Sequence, residues 1–385
     1  MRFLNSKSRP ELIYILCIII LSLMGKPCLA QQAQDSYSEL LKKAVIRAGT
    51  NRVGIFRFLS PNAGWYPPGP HFSPDIGLSD PNATPFLINV LQNGPDWSDD
   101  ELPEGWSGIF HYVARCYAAL CLGNIGDIQA YDPLLTILNN TALEPYQYDS
   151  NSSRKSEYNL RSYAAFALGC LGDRRAVEPL IKSLKQDGFV ECIYALARLE
   201  AVTAVPSIVK VASDRNLFNN VDVHHCLEYI LKVRFTLRTA DKNYRYKVID
   251  QFPEVGTVHL RDAHRALWQH WIKAGDKYAK EQFKEYYPQW KAALRDKPNA
   301  PSRHRTLQER MLKGGVAAVP YVIAEIENGD VSFIPVAAKL TKPRARRIKD
   351  FSPQLSEKAT QEEVKEWWKI NKQKWIIFQP VEAKQ

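Results

Sequence analysis

Apolar positions along this chain follow two rhythms, a helical one within segments and a longer one between them. Residues 115–138 read RCYAALCLGNIGDIQAYDPLLTIL, and residues 161–184 read RSYAAFALGCLGDRRAVEPLIKSL. Offset by 46 positions, they share the frame RxYAAxxLGxxGDxxAxxPLxxxL. Ala164, Ala165, Leu168 and Leu171 recur at helical spacings and predict a first helix with one apolar stripe. Its alanines are small enough to let a neighbouring helix approach closely. Gly172 can take the left-handed conformation that ends a helix, and Asp173 can cap the exposed amides of the next one. Pro179 falls near the start of that second helix, where its missing N–H costs little. Leu180, Ile181 and Leu184 then supply a buried stripe. Gly126, Asp127 and Pro133 repeat these roles one copy earlier. On this reading Gly172→Val is expected to destabilise more than Gly169→Ala.

The unit is a pair of antiparallel helices of about 30 residues that cannot bury its apolar face alone, so copies must stack. Decayed copies follow. Cys192–Val211 matches at an offset near 28, and Ser79–Leu91 reads as a second-helix half with Asp80 as cap. Val316–Ile326 is another second-helix half, and Val336–Leu340 reads as the next first helix. His224–Val233 is apolar in the helical sense but lacks the Gly-Asp turn. An insertion over 139–158 explains why the two clear copies lie 46 residues apart rather than about 30.

The frame resembles the HEAT-like repeat of the PBS-lyase subtype, over 113–211 and more loosely at 79–91 and 316–340, about a third of the chain. The resemblance implies an all-α fold, a HEAT-like α-solenoid of antiparallel helix pairs with long loop insertions. It also implies a binding scaffold, since proteins with such repeats mostly bind other proteins, although some attach bilin chromophores. No lyase motif can be carried over to residues here. In arrays of this kind the second helices line the concave, partner-binding face. That places Lys182, Lys185 and Lys210 on one expected basic strip, with Thr136 and Asn139 as the counterparts before them. The competing reading is an ordinary solvated helix face. A weaker repetition aligns Ala266–Tyr278 with Glu363–Trp375 at an offset of 97, so that Trp271 meets Trp368 and Tyr278 meets Trp375. Such segments are similar to ones that follow HEAT arrays in exported bacterial proteins, planctomycete-like ones especially. They are expected to cap an open end of the solenoid.

The organisation expected is a leader at 1–30, a helix and irregular loop at 31–78, and the array at 79–240. A helical, tryptophan-bearing segment follows at 241–310, then a degenerate repeat and tryptophan-bearing terminal helix at 311–385. The leader has Arg2, Lys7 and Arg9 before the apolar run Leu12–Met24, and Cys28-Leu29-Ala30 offers small residues before Gln31. That run is short against the roughly 20 residues of a membrane span. It predicts a signal peptide cut after Ala30 and a periplasmic or secreted chain, with an uncleaved anchor as the alternative. Residues 49–76 read as a long ordered loop, and 93–107 as an acidic, tryptophan-bearing one. Asn82, Asn139 and Asn151 lie in glycosylation sequons, which matter only in a eukaryotic host.

Charge changes this picture little. The formal net charge is +10, of which the leader carries +3. The remaining +7 is too scattered to indicate nucleic-acid binding. The run 342–349 (KPRARRIK) reads either as a solvated turn or as an anion-binding patch. Cys116, Cys121, Cys170, Cys192 and Cys226 remain beyond the leader, an odd number without paired spacing, and read as small buried thiols.

The chemistry-bearing motifs are few. His224-His225 and the trio His259, His264 and His270 lack the spacing that puts two imidazoles on one helical face, so no metal and no cofactor is expected. HExxH, G-x-S-x-G and Gly-rich phosphate loops do not occur. The sequence therefore favours an exported, non-catalytic protein-binding scaffold or adaptor. The partner expected is another protein, an acidic one among the candidates, and not a nucleic acid, with no stable membrane span after cleavage. The alternative is an exported lyase-like enzyme or accessory protein holding a ligand in the concave groove.

Overall fold

The structure is a computed structural model. It describes residues 33–46, 80–98, 107–143, 146–148, 156–219, 221–235, 237–239, 245–248, 257–296, 301–344 and 354–375, with Asp100, Leu102 and Ile377 besides. The expected leader, the loop at 49–76, most of the 342–349 run and Asn151 lie outside the described residues.

The fold is an all-α solenoid of antiparallel helix pairs. A helix over 33–46 (α1) precedes α2 (Thr84–Asn93), α3 (Ser107–Ile125) and α4 (Tyr131–Asn139). The array continues through α5 (Leu160–Leu171), α6 (Val177–Asp187), α7 (Val190–Arg198), α8 (Val205–Asp214) and α9 (Val221–Leu231). The first helices α3, α5 and α7 stack in one row, and the second helices α2, α4, α6 and α8 in another. Leu160 through Gly169 is buried along its whole length, so α5 is a core helix rather than a half-exposed one.

The frame residues explain this geometry. Gly126 and Gly172 stand at φ 77° and 80°, the left-handed conformation that turns the chain out of α3 and α5. Each second helix then begins with a short tight turn. Asp80, Asp127 and Asp173 accept from the backbone N–H of Asn82, Gln129 and Arg175, satisfying amides that the helix start leaves orphaned. The frame's other glycine serves the row of first helices. A Cβ on Gly123 would lie 2.7 Å from the Ala167 Cα, and one on Gly169 would lie 2.4 Å from the Ala195 Cα. The neighbours there are backbone atoms, so Gly169 is a contact point between helix axes. Gly169→Ala therefore carries a steric cost that the sequence-based ranking left out.

The leading Arg of the frame works between repeats. Arg115 donates to the carbonyls of Leu91 and Gln92 at the end of α2, and Arg161 to Leu138 O near the end of α4. These carbonyls have no partner within their own helices, and a guanidinium is complementary to the negative end of the helix dipole. In the next copy Phe189 replaces the Arg, and Arg215 caps Gln186 O and Asp187 O instead. Arg161 also clamps Asp187 in a buried bidentate pair at 3.0 and 2.7 Å.

The loop insertions are not wholly irregular. Inside 139–158 a small antiparallel hairpin pairs β1 (Tyr146–Tyr148) with β2 (Ser156–Tyr158). Beyond α9, β3 (Leu237–Thr239), β4 (Arg245–Val248) and β5 (Thr257–His259) form a three-stranded antiparallel sheet. It straddles the expected boundary at 240/241 and corrects the reading of 241–310 as helical from its start. Runs of three or four residues are too short for alternation to stand out in sequence.

The C-terminal part begins with the long helix α10 (Leu260–Asp296), then α11 (Pro301–Met311), α12 (Val319–Glu327), α13 (Ile334–Thr341) and α14 (Gln361–Asn371). Its start packs Trp268 and Trp271, both fully buried, between itself and the array. Trp271 is thus a core residue, edge-on to Trp268 at 6.0 Å, not a cap over an open end. Val336–Leu340 lies in α13, whose Asp330-capped tight turn is the start typical of a second helix, not the first helix expected. Among the described residues Cys116, Cys121, Cys192 and Cys226 are buried and Cys170 is half-buried.

Candidate functional site

Lys182 and Lys185 are exposed on α6 and Lys210 is exposed on α8. These second helices are neighbours, and α6 also borders α4, on which Thr136 and Asn139 are exposed. Asp132, Glu178 and Asp214 are exposed on the same three helices. The outward surface is therefore lysine-bearing at its middle and interrupted by acids toward the helix ends.

A second grouping has no counterpart in the sequence-based expectations. Superposing Cys192–Val211 on the clear repeat puts Glu200 where the turn glycine Gly172 stands. Glu200 adopts that glycine's conformation, at φ 47°. Lys232 does the same just beyond α9, at φ 55°. A side chain in the left-handed region costs about 1–2 kcal/mol, which the surroundings must offset. The two residues pair, Nζ to Oε2 at 3.7 Å, with both side chains more than nine-tenths buried. Lys232 also donates to Leu340 O at 2.8 Å and Lys342 O at 2.6 Å, while the Arg344 backbone N–H donates to Glu200. The pair thereby ties the end of α13 to turns more than a hundred residues earlier.

Further cations crowd this knot. Arg174 donates to the carbonyls of Leu199 and Glu200, Arg344 lies over the Tyr229 ring, and Arg198 lies over Phe166. Burial above all, opposed by Glu200 and aided by the guanidiniums of Arg344 and Arg174, lowers Lys232 to about 8. Burial and the Glu200 carboxylate push Tyr229 up to about 12, against Arg344 and Arg198.

The third grouping joins α9 to α10. The Trp268 indole N–H donates to His224 Nδ1 at 3.0 Å in a buried bond. His224 Nε2 faces Glu228 Oε1 at 3.4 Å, and His225 Nδ1 faces Oε2 at 3.3 Å. The Phe235 backbone N–H donates to Oε1 at 2.6 Å. Burial alone would raise Glu228, but the bonds from His224, Phe235 and His225 outweigh it and hold the carboxyl low. His264 stacks on His224 at 4.2 Å, and burial, followed by the neighbouring imidazoles, drives it down to about 4.

The ligand atoms of His224, His225 and Glu228 lie within 4.8 Å of one another, close enough to be tested as a metal site. The chemistry of the donors does not fit one. An indole N–H only donates, so His224 Nδ1 holds the lone pair and Nε2 carries the proton. A metal on Nε2 would displace that proton and call for an N–H at Nδ1, directly opposing the indole. The group instead forms a polar chain, Trp268 to His224 to Glu228, that fastens two helices. The sequence signal was present: His224 and Glu228 stand i, i+4, whereas the search there was for paired histidines.

The family model for the PBS lyase HEAT-like repeat matches residues 114–140 and 160–186. These two segments cover most of α3–α4 and α5–α6, so the chain carries HEAT-like repeats there. No curated protein and no solved structure matches it.

Proposed function

We propose that the chain is an exported protein-binding scaffold that takes an acidic protein partner along the outward faces of α4, α6 and α8. The observation that carries this reading is the exposure of Lys182, Lys185 and Lys210 on adjacent second helices of a HEAT-like array. Stacked repeats of this kind usually serve as extended surfaces for protein interaction. Asp132, Glu178 and Asp214 at the margins penalise a misaligned acidic partner, so the strip sets register as well as sign. Export rests on the leader at 1–30, with cleavage after Ala30 leaving Gln31 at the mature N-terminus in the periplasm or outside the cell. Among the described residues no helix is long and apolar enough to cross a membrane.

Replacing all three lysines by glutamate tests the strip. Exposed substitutions of this kind shift stability by only about 0.5 kcal/mol each, so melting is expected to stay near the parent's. Salt-sensitive capture of partners from a cell-envelope extract is expected to disappear. An unchanged set of captured proteins contradicts the proposal. N-terminal sequencing of exported material tests the leader, and an intact leader in the membrane fraction would favour an anchor.

A further inference from the structure

The start of α10 meets α9 ring against ring. His264 and His224 are both buried and stack at 4.2 Å, with 25° between their planes. His224 Nδ1 also takes the Trp268 indole N–H, and Phe235, just past α9, meets the Trp268 ring edge-on at 5.1 Å. α9 lies against α7 and extends the row of first helices, so these rings sit where that stack ends.

Both imidazoles must stay uncharged for this arrangement to hold. The indole N–H leaves His224 with its lone pair at Nδ1 and its proton at Nε2, facing Glu228. A further proton can enter only at Nδ1, where it opposes the indole and breaks the bond between the helices. A proton on His264 sets a cation face to face with the His224 ring. Glu228 is the acid set against the two rings, and it is already bound by His224, His225 and the Phe235 N–H. Other acids on the adjoining elements are Asp222 in the first turn of α9, Asp214, exposed at the end of α8, and Asp262, which pairs with Arg265 at 3.5 Å. The cations are Lys210, exposed on α8, Arg215, bound to carbonyls at the end of α6, and Arg265, which also donates to Asn216. The strands β4 and β5, which border α10, carry Arg245, Tyr246, Lys247 and His259.

We propose that the stacked His264 and His224 form an acid-operated catch. A proton taken up by the pair parts the start of α10 from α9 and opens the end of the first-helix stack, while the repeats before it stay folded. The sign follows from the two environments. Burial, followed by the facing imidazoles, holds His264 at about 4 while the catch is closed, and release into water returns it toward its ordinary 6.5. The open form therefore binds the proton more tightly, and falling pH favours it. Between pH 7.5 and pH 5 this difference multiplies the open population about thirtyfold. The opening is local, because Lys232 ties Leu340 O and Lys342 O to the array without a histidine. The catch is independent of the lysine strip and of any protein partner.

Hydrogen exchange of the full chain, read by mass spectrometry at pH 7.5 and pH 5 and corrected for intrinsic exchange rates, tests it. Peptides from α9 and from residues 260–275 are expected to exchange about thirtyfold faster at pH 5, reversibly, while peptides from α5 and α6 keep their protection. His264→Phe keeps a stacking ring that cannot take a proton, and is expected to lose most of that acceleration. His264→Gln asks the same question without the larger ring. Protection of α9 and 260–275 that is unchanged at pH 5 overturns the proposal. An equal loss along α5 and α6 also overturns it, since that is general acid unfolding. Acceleration that persists in both variants removes the catch from this pair.

Discussion

At the scale of single residues, the two glycines of the frame do different work, and only one role follows from sequence. Gly172 is needed for its backbone angle, so Gly172→Ala is expected to cost about 1–2 kcal/mol. Gly169 is needed for space, and Gly169→Ala forces its methyl into the Ala195 backbone. Overpacking of this kind costs about 1–3 kcal/mol, so urea melts are expected to rank Gly169→Ala at least equal to Gly172→Ala. A turn glycine next to an aspartate is a local signal and can be read along the chain. A close approach depends on which residue of another helix lies opposite, and no run of sequence near Gly169 names Ala195. The same holds for Glu200. Its alignment with the turn glycine was available, but the Lys232 that justifies its burial is supplied by the next turn in space.

At the scale of elements, the helix pairs were legible because each carries its own start and stop signals. The links between them were not. The frame arginine is visible in the repeat, yet its purpose shows only when the preceding second helix lies beside it. The contact of α9 with α10 also depends on a polar chain that the sequence hides, and it has a pH consequence. His264 is buried and neutral, with its folded value driven to about 4, below the ordinary value of 6.5. The unfolded chain therefore binds a proton on this group first as pH falls. Stability is intact above about pH 6.5 and drops between there and about pH 4, by up to about 1.4 kcal/mol per pH unit from this group. Urea melts at pH 7, 6 and 5 are expected to show that slope, and His264→Phe is expected to flatten it. An equal slope in the variant would assign the acid sensitivity elsewhere. Chemical reactivity at the cysteines is expected to be slow, since burial raises Cys121 and Cys192 to about 12.

At the scale of the whole molecule, the repeat array is one half of a larger arrangement in which the C-terminal helices return to it. Gly315 makes the return possible. A Cβ there would lie 2.1 Å from Leu231 O, at the end of α9 beside Lys232. The solenoid was legible from two good copies because stacking repeats its requirements, whereas this return is made once and leaves no period to detect. The proposed partner-binding face is the second-helix surface. A photo-reactive residue in place of Lys182 tests it most directly, compared with the same residue in place of Lys277, which is well exposed on α10. On irradiation in cell-envelope extract at low salt, the Lys182 position is expected to give a discrete crosslinked protein that is lost at high salt, and the Lys277 position none. A product formed equally from both positions, or from Lys277 alone, would rule out the second-helix surface as that face.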